Sequence, residues 1–381
     1  MARTINYLTP LIRSAITGEK PVLPGDADDR FDKIIGLSTA HQIAPLVSAA
    51  LLKYGCISDK QHIKTAQKII YNETYRDIKN NYTYNLAAEV LSRQKICFVP
   101  LKGIIIKQLY PESFMRPSCD IDVLVHKADF NKAVSALENA GFYLAGDLTF
   151  HDVSLLYDDS NLELHFSICE NNKNLDGLLS DVWDYTVKSE EYKYLETNEY
   201  FMFHHIAHMA YHFLAGGCGI RPFIDYWILK DKWSFDEKEL IKLCKKANID
   251  EFYSAVKQLT DVWFEGKNHT DITKRIENYI LVGGAYGAFP NNAAAYTVTK
   301  GGKTKYLLSL AFPKYANMKV LYPSLNHAPF LLPFFYFYRL LQKTVGRNSS
   351  GAKDKFRIIK AQGDDFVGEV AYLLKSLKLN K

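Results

Sequence analysis

The 381-residue chain is 48% hydrophobic, enough to fill more than one core and too apolar for a disordered chain. A net charge of +5 excludes a chain basic throughout, as a general nucleic-acid binder would be. The six cysteines, at positions 56, 97, 119, 169, 218 and 244, form no CxxC pair and no zinc-ligand spacing, which excludes a disulfide scaffold and predicts the reduced thiols of a cytoplasmic protein.

Residues 1–95 are helical in pattern. Ile5, Leu8, Leu11, Ile12 and Ile16 recur at helical spacing and predict a first helix. Thr9, Pro10, Arg13 and Ser14 interrupt this run, so it lacks the apolar core of a signal peptide; its acid-free character also fits a transit peptide, but the helix is the preferred reading. A long helix is expected from about Lys60 to Gln94. No apolar run reaches the ~20 residues needed to span a bilayer.

Ile96 to Leu101 reads as a strand ending at Lys102-Gly103, with a short helical stretch from Ile104 to Tyr110 beyond it. Gly103 would let backbone approach a ligand, and a helix start favours an anion; a plain turn is the alternative. Next come Asp120 and Asp122, at i and i+2 in the apolar run Ile121-Asp-Val-Leu-Val125. Alternate strand side chains leave the same face, so both carboxylates point one way. Such a pair repels itself unless a cation intervenes, and Mg²⁺, with Mn²⁺ as the alternative, suits hard oxygen ligands. The bland reading, a solvated strand face, fits poorly in a strand otherwise apolar.

Lys127 to Ala140 reads as a helix closed by Gly141. Val153–Tyr157 and Asn161–Phe166 flank Asp158-Asp-Ser-Asn161, a hairpin pattern. Alternation puts Leu162, Leu164 and Phe166 on one face and Glu163 and His165 on the other. If this strand neighbours Asp120–Val125, Glu163 joins the aspartates, and three carboxylates can hold two cations that clamp an in-line displacement at phosphorus. Asp152 and Asp225 are the next candidates for the third carboxylate.

From Asn198 onward the pattern is helical again, broken near Ala288 to Gly302 by Pro, Asn and Gly. His204, His208 and His212 share one helical face, beside His205; metal binding, orientation of a phosphate or of Glu163, and satisfied core histidines are the competing readings. Arg221 and Asp225 are expected to form an i,i+4 ion pair, with Arg221 reaching a nucleotide as the alternative. Residues 339–360 hold seven basic groups against Asp354 alone, after the aromatic run Pro329 to Arg339. A packed C-terminal helix with a solvated basic face is the preferred reading there; contact of 329–360 with an anionic membrane surface is the other.

The spaced set Leu101-Lys-Gly103, Tyr110-Pro111, Arg116-Pro117, Asp120-Ile-Asp-Val-Leu-Val125, Leu162-Glu-Leu-His165, Arg221-Pro-Phe-Ile-Asp225 and Leu332-Pro-Phe-Phe-Tyr336 with Arg339 resembles the bacterial uncharacterised nucleotidyltransferases, within the superfamily typified by DNA polymerase beta. The resemblance implies an Mg²⁺-dependent enzyme that moves a nucleoside monophosphate from an NTP to an acceptor. It implies catalytic and metal roles for Asp120, Asp122 and Glu163, and nucleotide contacts for Lys102, Gly103, Arg116, His165 and Arg221. One departure matters. The superfamily usually has Gly-Gly or Gly-Ser at the phosphate turn, whereas Lys102-Gly103 lacks the hydroxyl. Lys102 is expected to replace it as a point charge and Arg116 to add a fork-shaped phosphate contact, unless both simply pair with nearby acids.

The expected architecture is α+β: a small mixed sheet in a nucleotidyltransferase core (96–190), flanked by an N-terminal helical region (1–95) and a C-terminal helical domain (191–381). RNA, a protein, a sugar or a small molecule could be the acceptor. The rival readings are an inactive nucleotide-binding scaffold, which a complete acidic triad argues against, and a membrane-surface partner protein.

Overall fold

The computed structural model describes residues 2–146, 148, 149, 151–170, 172–285, 287–345 and 357–379. Helices α1 (Ala2–Thr17), α2 (Phe31–Ala40) and α3 (Ala44–Lys53) pack on one another at the N-terminus. Leu8, Leu11 and Ile12 of α1 are fully buried, as their spacing predicts. The long helix is α4 (Lys60–Arg93). Asp59 caps it by accepting from the N–H groups of Gln61 and His62 at 2.8 and 3.0 Å, a cap worth about 1 kcal/mol.

Strands β1 (Phe98–Pro100), β2 (Asp120–Val125), β3 (Tyr143–Leu144), β4 (Asp152–Tyr157) and β5 (Ser160–His165) form one mixed sheet in the order β1-β2-β5-β4-β3. Only the β2–β5 pairing is parallel. The β4–β5 hairpin turns through Asp158 and Asp159, both left-handed at φ 43° and 66°, a two-residue turn whose twist matches its strands. That turn fixes the register and so the face from which Glu163 emerges. A separate pair, β6 (Thr186–Lys188) and β7 (Tyr194–Glu196), lies downstream.

Between β1 and β2 the helical stretch begins earlier than expected, as α5 (Lys102–Ile106), and continues as a 3-10 turn over Lys107–Leu109. A helix of five residues has almost no macrodipole, so the anion argument made for its start lapses. Helix α6 (Phe130–Asn139) starts three residues late because Lys127–Asp129 are spent on a turn, Asp129 N–H reaching the His126 carbonyl at 2.9 Å. Gly141, at φ 96°, follows its end as predicted.

One face of the sheet is apolar. Ile121, Val123, Val125, Leu155, Leu162 and Leu164 are buried with Tyr84, Ala87 and Leu91 of α4 and Phe130, Ala133 and Leu137 of α6. The other face carries the acids. Beyond it lie α7 (Lys173–Leu179), α8 (Asn198–Leu214), α9 (Arg221–Lys232), α10 (Glu237–Lys246), α11 (Asp250–Phe264) and α12 (Asp271–Gly283). Tyr200, Phe203 and Phe213 of α8 and Phe223 of α9 are fully buried in a core that also takes in Leu8 of α1, Val99 and Leu124 of the sheet, and Leu377. Each such side chain contributes roughly 1.5–3 kcal/mol of burial, and together they clamp α8 over the acidic face.

The expected break at Ala288 to Gly302 is instead largely helix, α13 (Phe289–Thr299). Pro290 sits in its first turn, where no backbone N–H is required. The interruption is confined to the glycines outside: a Cβ on Gly287 would fall 2.8 Å from the Gly216 carbonyl carbon, so that close approach needs glycine. Helices α14 (Lys303–Ala311), α15 (Tyr315–Leu321), α16 (Leu332–Val345) and α17 (Asp364–Ser376) complete the C-terminal part. The expected C-terminal helix is α16, held by Tyr336 Oη to the Pro313 carbonyl (2.6 Å) and Arg339 Nη1 to the Leu310 carbonyl (2.8 Å). Among its described side chains Arg339 turns inward to carbonyls, while Phe334, Phe337 and Tyr338 are exposed. The basic positions between 346 and 356 lie outside the described residues. Among those described, no helix is long and apolar enough to cross a membrane.

Candidate active site

The parallel β2–β5 register sets Asp122 opposite Glu163 and Asp120 opposite Asn161. Strand alternation does the rest, placing all four side chains on the polar face. Asn161 Nδ2 donates to Asp120 Oδ1 at 2.8 Å and to Glu163 Oε1 at 3.4 Å, tying the two strands' carboxylates together. His165, two positions on, brings Nε2 to 3.1 Å from Asp122 Oδ1 and 3.7 Å from Glu163 Oε2, while Nδ1 lies 3.9 Å from Asp152 Oδ2. The sequence-predicted triad is therefore assembled, and His165 belongs to the acidic cluster itself.

Electrostatics separates the three acids. Burial, then the charges of Asp122 and Asp120, push Glu163 up to about 7. Burial also raises Asp120, against its hydrogen bond from Asn161. Asp122 is also desolvated, but the hydrogen bond and charge of His165, with help from Lys102, hold it below its ordinary value. For His165 burial opposes protonation, yet Asp122, Asp152 and Glu163 outweigh it and raise its pKa. A carboxylate that resists ionisation through burial and then through negative neighbours marks a site short of positive charge.

The residues fit a hard divalent cation. Carboxylate oxygens of Asp122 and Glu163 and a ring nitrogen of His165 lie within 4.8 Å of one another, with Asp120 adjoining. A second such group, His151, Asp152 and His165, lies at the rim of the first. Among the described residues these groups include none of His204, His208 and His212, so the zinc reading of that helix finds no support in its geometry. Asp152 serves His165 and His151, and Asp225 lies against arginine, so neither replaces Glu163.

A cavity of about 330 Å³ opens over the carboxylates, lined among others by Lys102, Gly103, Arg221, His208 and His212. Lys102 is half-buried on this cavity, and among the described residues its ammonium has no hydrogen-bond acceptor. Burial lowers its pKa, opposed by the charges of Glu170, Asp122 and Glu196. Among the described residues Lys102 forms no ion pair, and these acids act on it only as neighbouring charges.

A simple ion pair does form at Arg116. The fork expected to face phosphate is given to Asp225, Nε to Oδ1 and Nη2 to Oδ2, both at 2.8 Å. Tyr110 Oη donates to the same Oδ1 at 2.7 Å. Asp225 is thus satisfied by the fork of an arginine 109 positions away, while Arg221 acts on it as a neighbouring charge. Arg221 Nη1 instead donates to the Pro117 carbonyl at 2.8 Å, bracing the segment that leads into Asp120. Gly103 has a related local role: a Cβ there would lie 3.3 Å from Ser118 Oγ and 3.6 Å from Arg116 Nη1.

The histidines of α8 are all engaged. His204 Nδ1 meets Glu196 at 2.9 Å, and His205 Nε2 meets the Pro222 carbonyl at 2.9 Å. His208 Nδ1 lies 3.0 Å from Glu170 Oε1, and its Nε2 lies 3.0 Å from His212 Nε2. His208, and His212 through it, orient on Glu170, not on Glu163. Burial, then the positive charge of Lys102, hold His208 well below its ordinary pKa and His212 at about 4. Sequence reasoning missed Asn161 and Glu170. Asn161 shares the alternation face of Glu163 and was findable; Glu170 lies in a loop after β5, where no period points.

A family model described as "Uncharacterised nucleotidyltransferase" matches residues 27–265. The chain belongs to this family. The match spans most of the chain and contains every residue of the site just described, as well as α8 and α9, which roof it. No curated protein and no solved structure matches the chain. Membership makes this a nucleotidyltransferase with an NTP as its substrate. Helices α12 to α17 lie beyond the part that defines the family.

Proposed function

We propose that this nucleotidyltransferase moves a nucleoside monophosphate from an NTP to a nucleophilic acceptor, with Asp120, Asp122 and Glu163 as its metal-binding and catalytic carboxylates. The observation that carries this reading is the Asp122–Glu163 pairing across parallel strands, which converges the acids from two elements on one cavity. Asp120 and Asp122 would hold Mg²⁺, or Mn²⁺, with Glu163 completing the second position. Bound cations supply Lewis-acid stabilisation of charge on the phosphoryl oxygens and on the leaving group.

The chain's own groups do the remainder. Lys102 offers an ammonium without a hydrogen-bonded partner to the β- and γ-phosphates; a desolvated cation gains most from a charged ligand. Glu163 helps take the acceptor's proton as the acceptor oxygen bonds to the α-phosphorus. The bond from that phosphorus to the bridging oxygen breaks, and pyrophosphate leaves with the electron pair. Arg116 acts through Asp225 by fixing the loop between α5 and β2, and His165 holds Asp122 in place. Arg221 supports the same loop, with one edge turned to the cavity. The thiols fit a reducing, cytoplasmic setting, since Cys56, Cys97, Cys119, Cys169, Cys218 and Cys244 are all free.

Calorimetric titration with a non-hydrolysable NTP tests the metal reading. Binding should strengthen with Mg²⁺ and weaken in EDTA, because the carboxylates repel a bare triphosphate. Equal affinity in both conditions would remove the two-metal proposal.

A further inference from the structure

Residues 278–353 contain no Asp or Glu, although the chain's average of 42 acids in 381 residues would put about eight there. The same stretch holds nine basic residues: Lys300, Lys303, Lys305, Lys314, Lys319, Arg339, Lys343, Arg347 and Lys353. It lies wholly outside the family match. Within it α16 presents Phe334, Phe337, Tyr338 and Leu341 to solvent, at i, i+3, i+4 and i+7. At 3.6 residues per turn these four fall within an arc of about 100°. Phe335, Tyr336 and Arg339 occupy the opposite side, where they meet Tyr322, Phe312 and the carbonyls of Leu310 and Ala311. So the helix is anchored by one face, while on the other Phe334, Phe337, Tyr338 and Leu341 stay exposed, Tyr338 also meeting the edge of Tyr322. Phe330, 79% exposed, extends this stripe by one turn.

We propose that this face is a peripheral docking surface for an anionic lipid bilayer. Its chemistry decides between possible occupants. A second copy would bring the same exposed Lys300, Lys305 and Lys314, and the two faces would repel. A nucleic acid could satisfy the lysines and stack on the rings, but it offers nothing to cover Leu341 or, on the neighbouring helices, exposed Leu308, Leu310 and Leu321. An anionic membrane surface covers both: acyl chains take the leucines and phenylalanines, the interface suits Tyr338, and lipid phosphates take the exposed Lys300, Lys305 and Lys314. The face is too short to insert across the bilayer, so binding is reversible and salt-sensitive. Its consequence for the enzyme is recruitment to a membrane surface, where an acceptor would be membrane-borne or membrane-proximal.

The test is co-sedimentation of the full chain with vesicles of phosphatidylcholine alone or with phosphatidylglycerol. Binding should be at least tenfold stronger with the anionic lipid and fall steeply at high salt, as each basic group near such a surface contributes on the order of fivefold. Phe334→Ser/Phe337→Ser/Leu341→Ser should abolish sedimentation with an unchanged melting temperature, because these side chains are exposed. Lys305→Glu/Lys314→Glu should remove the preference for anionic lipid. Mg²⁺-dependent NTP binding should persist in both variants, so this result stands apart from the fate of the nucleotidyl-transfer reading. Failure of the wild type to sediment with anionic vesicles would overturn the proposal. So would a wild-type dimer in light scattering that the triple serine variant dissolves, or displacement from vesicles by an RNA oligonucleotide that binds the triple variant equally well.

Discussion

Arg116 and Asp225, 109 positions apart in the chain, form a buried two-point ion pair in which both hydrogen bonds measure 2.8 Å. Its Coulomb term is offset by desolvation of both charges, so the pair's role is geometric: it locks the loop before β2 onto α9. Asp225 is pulled below its ordinary pKa by Arg116 despite strong burial, which marks it as ionised in the folded protein.

Breaking that pair one-sidedly should be costly. Asp225→Asn should destabilise the protein by about 3–5 kcal/mol, since Arg116 would remain buried with an uncompensated charge. Arg116→Met/Asp225→Leu should lose much less. Tyr110→Phe should cost about 1 kcal/mol, the net worth of one hydrogen bond. Urea unfolding of the four proteins measures all of this; equal losses in the single and double variants would contradict the locking role.

Lys102 should show the opposite trade. Lys102→Met removes a desolvated ammonium that lacks a hydrogen-bonded partner, so the ligand-free melting temperature should rise. NTP affinity should fall by about 1–3 kcal/mol, the range for a charge-assisted hydrogen bond. An unchanged affinity would show that the lysine is structural and that the phosphates bind elsewhere.

The acids should behave as one unit. Asp120→Asn, Asp122→Asn and Glu163→Gln should each abolish nearly all transfer of label from an α-labelled NTP into acceptors of a cell extract. Double variants should lose little more, because groups serving one transition state are non-additive. Glu163→Gln should also raise the melting temperature of the metal-free protein by relieving repulsion from Asp122 and Asp120. Full transfer activity in Glu163→Gln would refute the triad.

Stability should fall with pH in a window set by buried histidines. Burial holds His41, His205 and His212 at about 4, well below the unfolded value of about 6.5. The unfolded chain therefore binds protons first as pH drops, so stability is complete above about 6.5 and is lost progressively toward 4. Each histidine contributes up to about 1.4 kcal/mol per pH unit within that window. His41 shows the mechanism: its Nδ1 accepts from the Ile220 N–H at 3.2 Å, a bond that protonation removes. Melting curves from pH 7.5 to 4.5 should show the slope, and His41→Gln should flatten it.

Much of the site was legible locally. Asp120, Asp122 and Glu163 share a face because strand side chains alternate with period two, whatever the rest of the molecule does. The Asp158-Asp159 turn then fixed one register and the apolar residues of β2 and β5 fixed the other, since a one-residue slip would bury the acids. The cap at Asp59 and the Gly141 stop are equally local. The fate of the basic groups was not. Lys102 and Arg116 read alike in sequence as phosphate ligands, yet one reaches the cavity without a hydrogen-bonded partner and the other is spent on Asp225. A charge takes the best partner the packed core brings within reach, and that choice spans 109 positions. The same holds for His208, which pairs with Glu170 from a loop rather than with the catalytic strand. Periodicity decides which way a side chain points; only tertiary packing decides what it meets there.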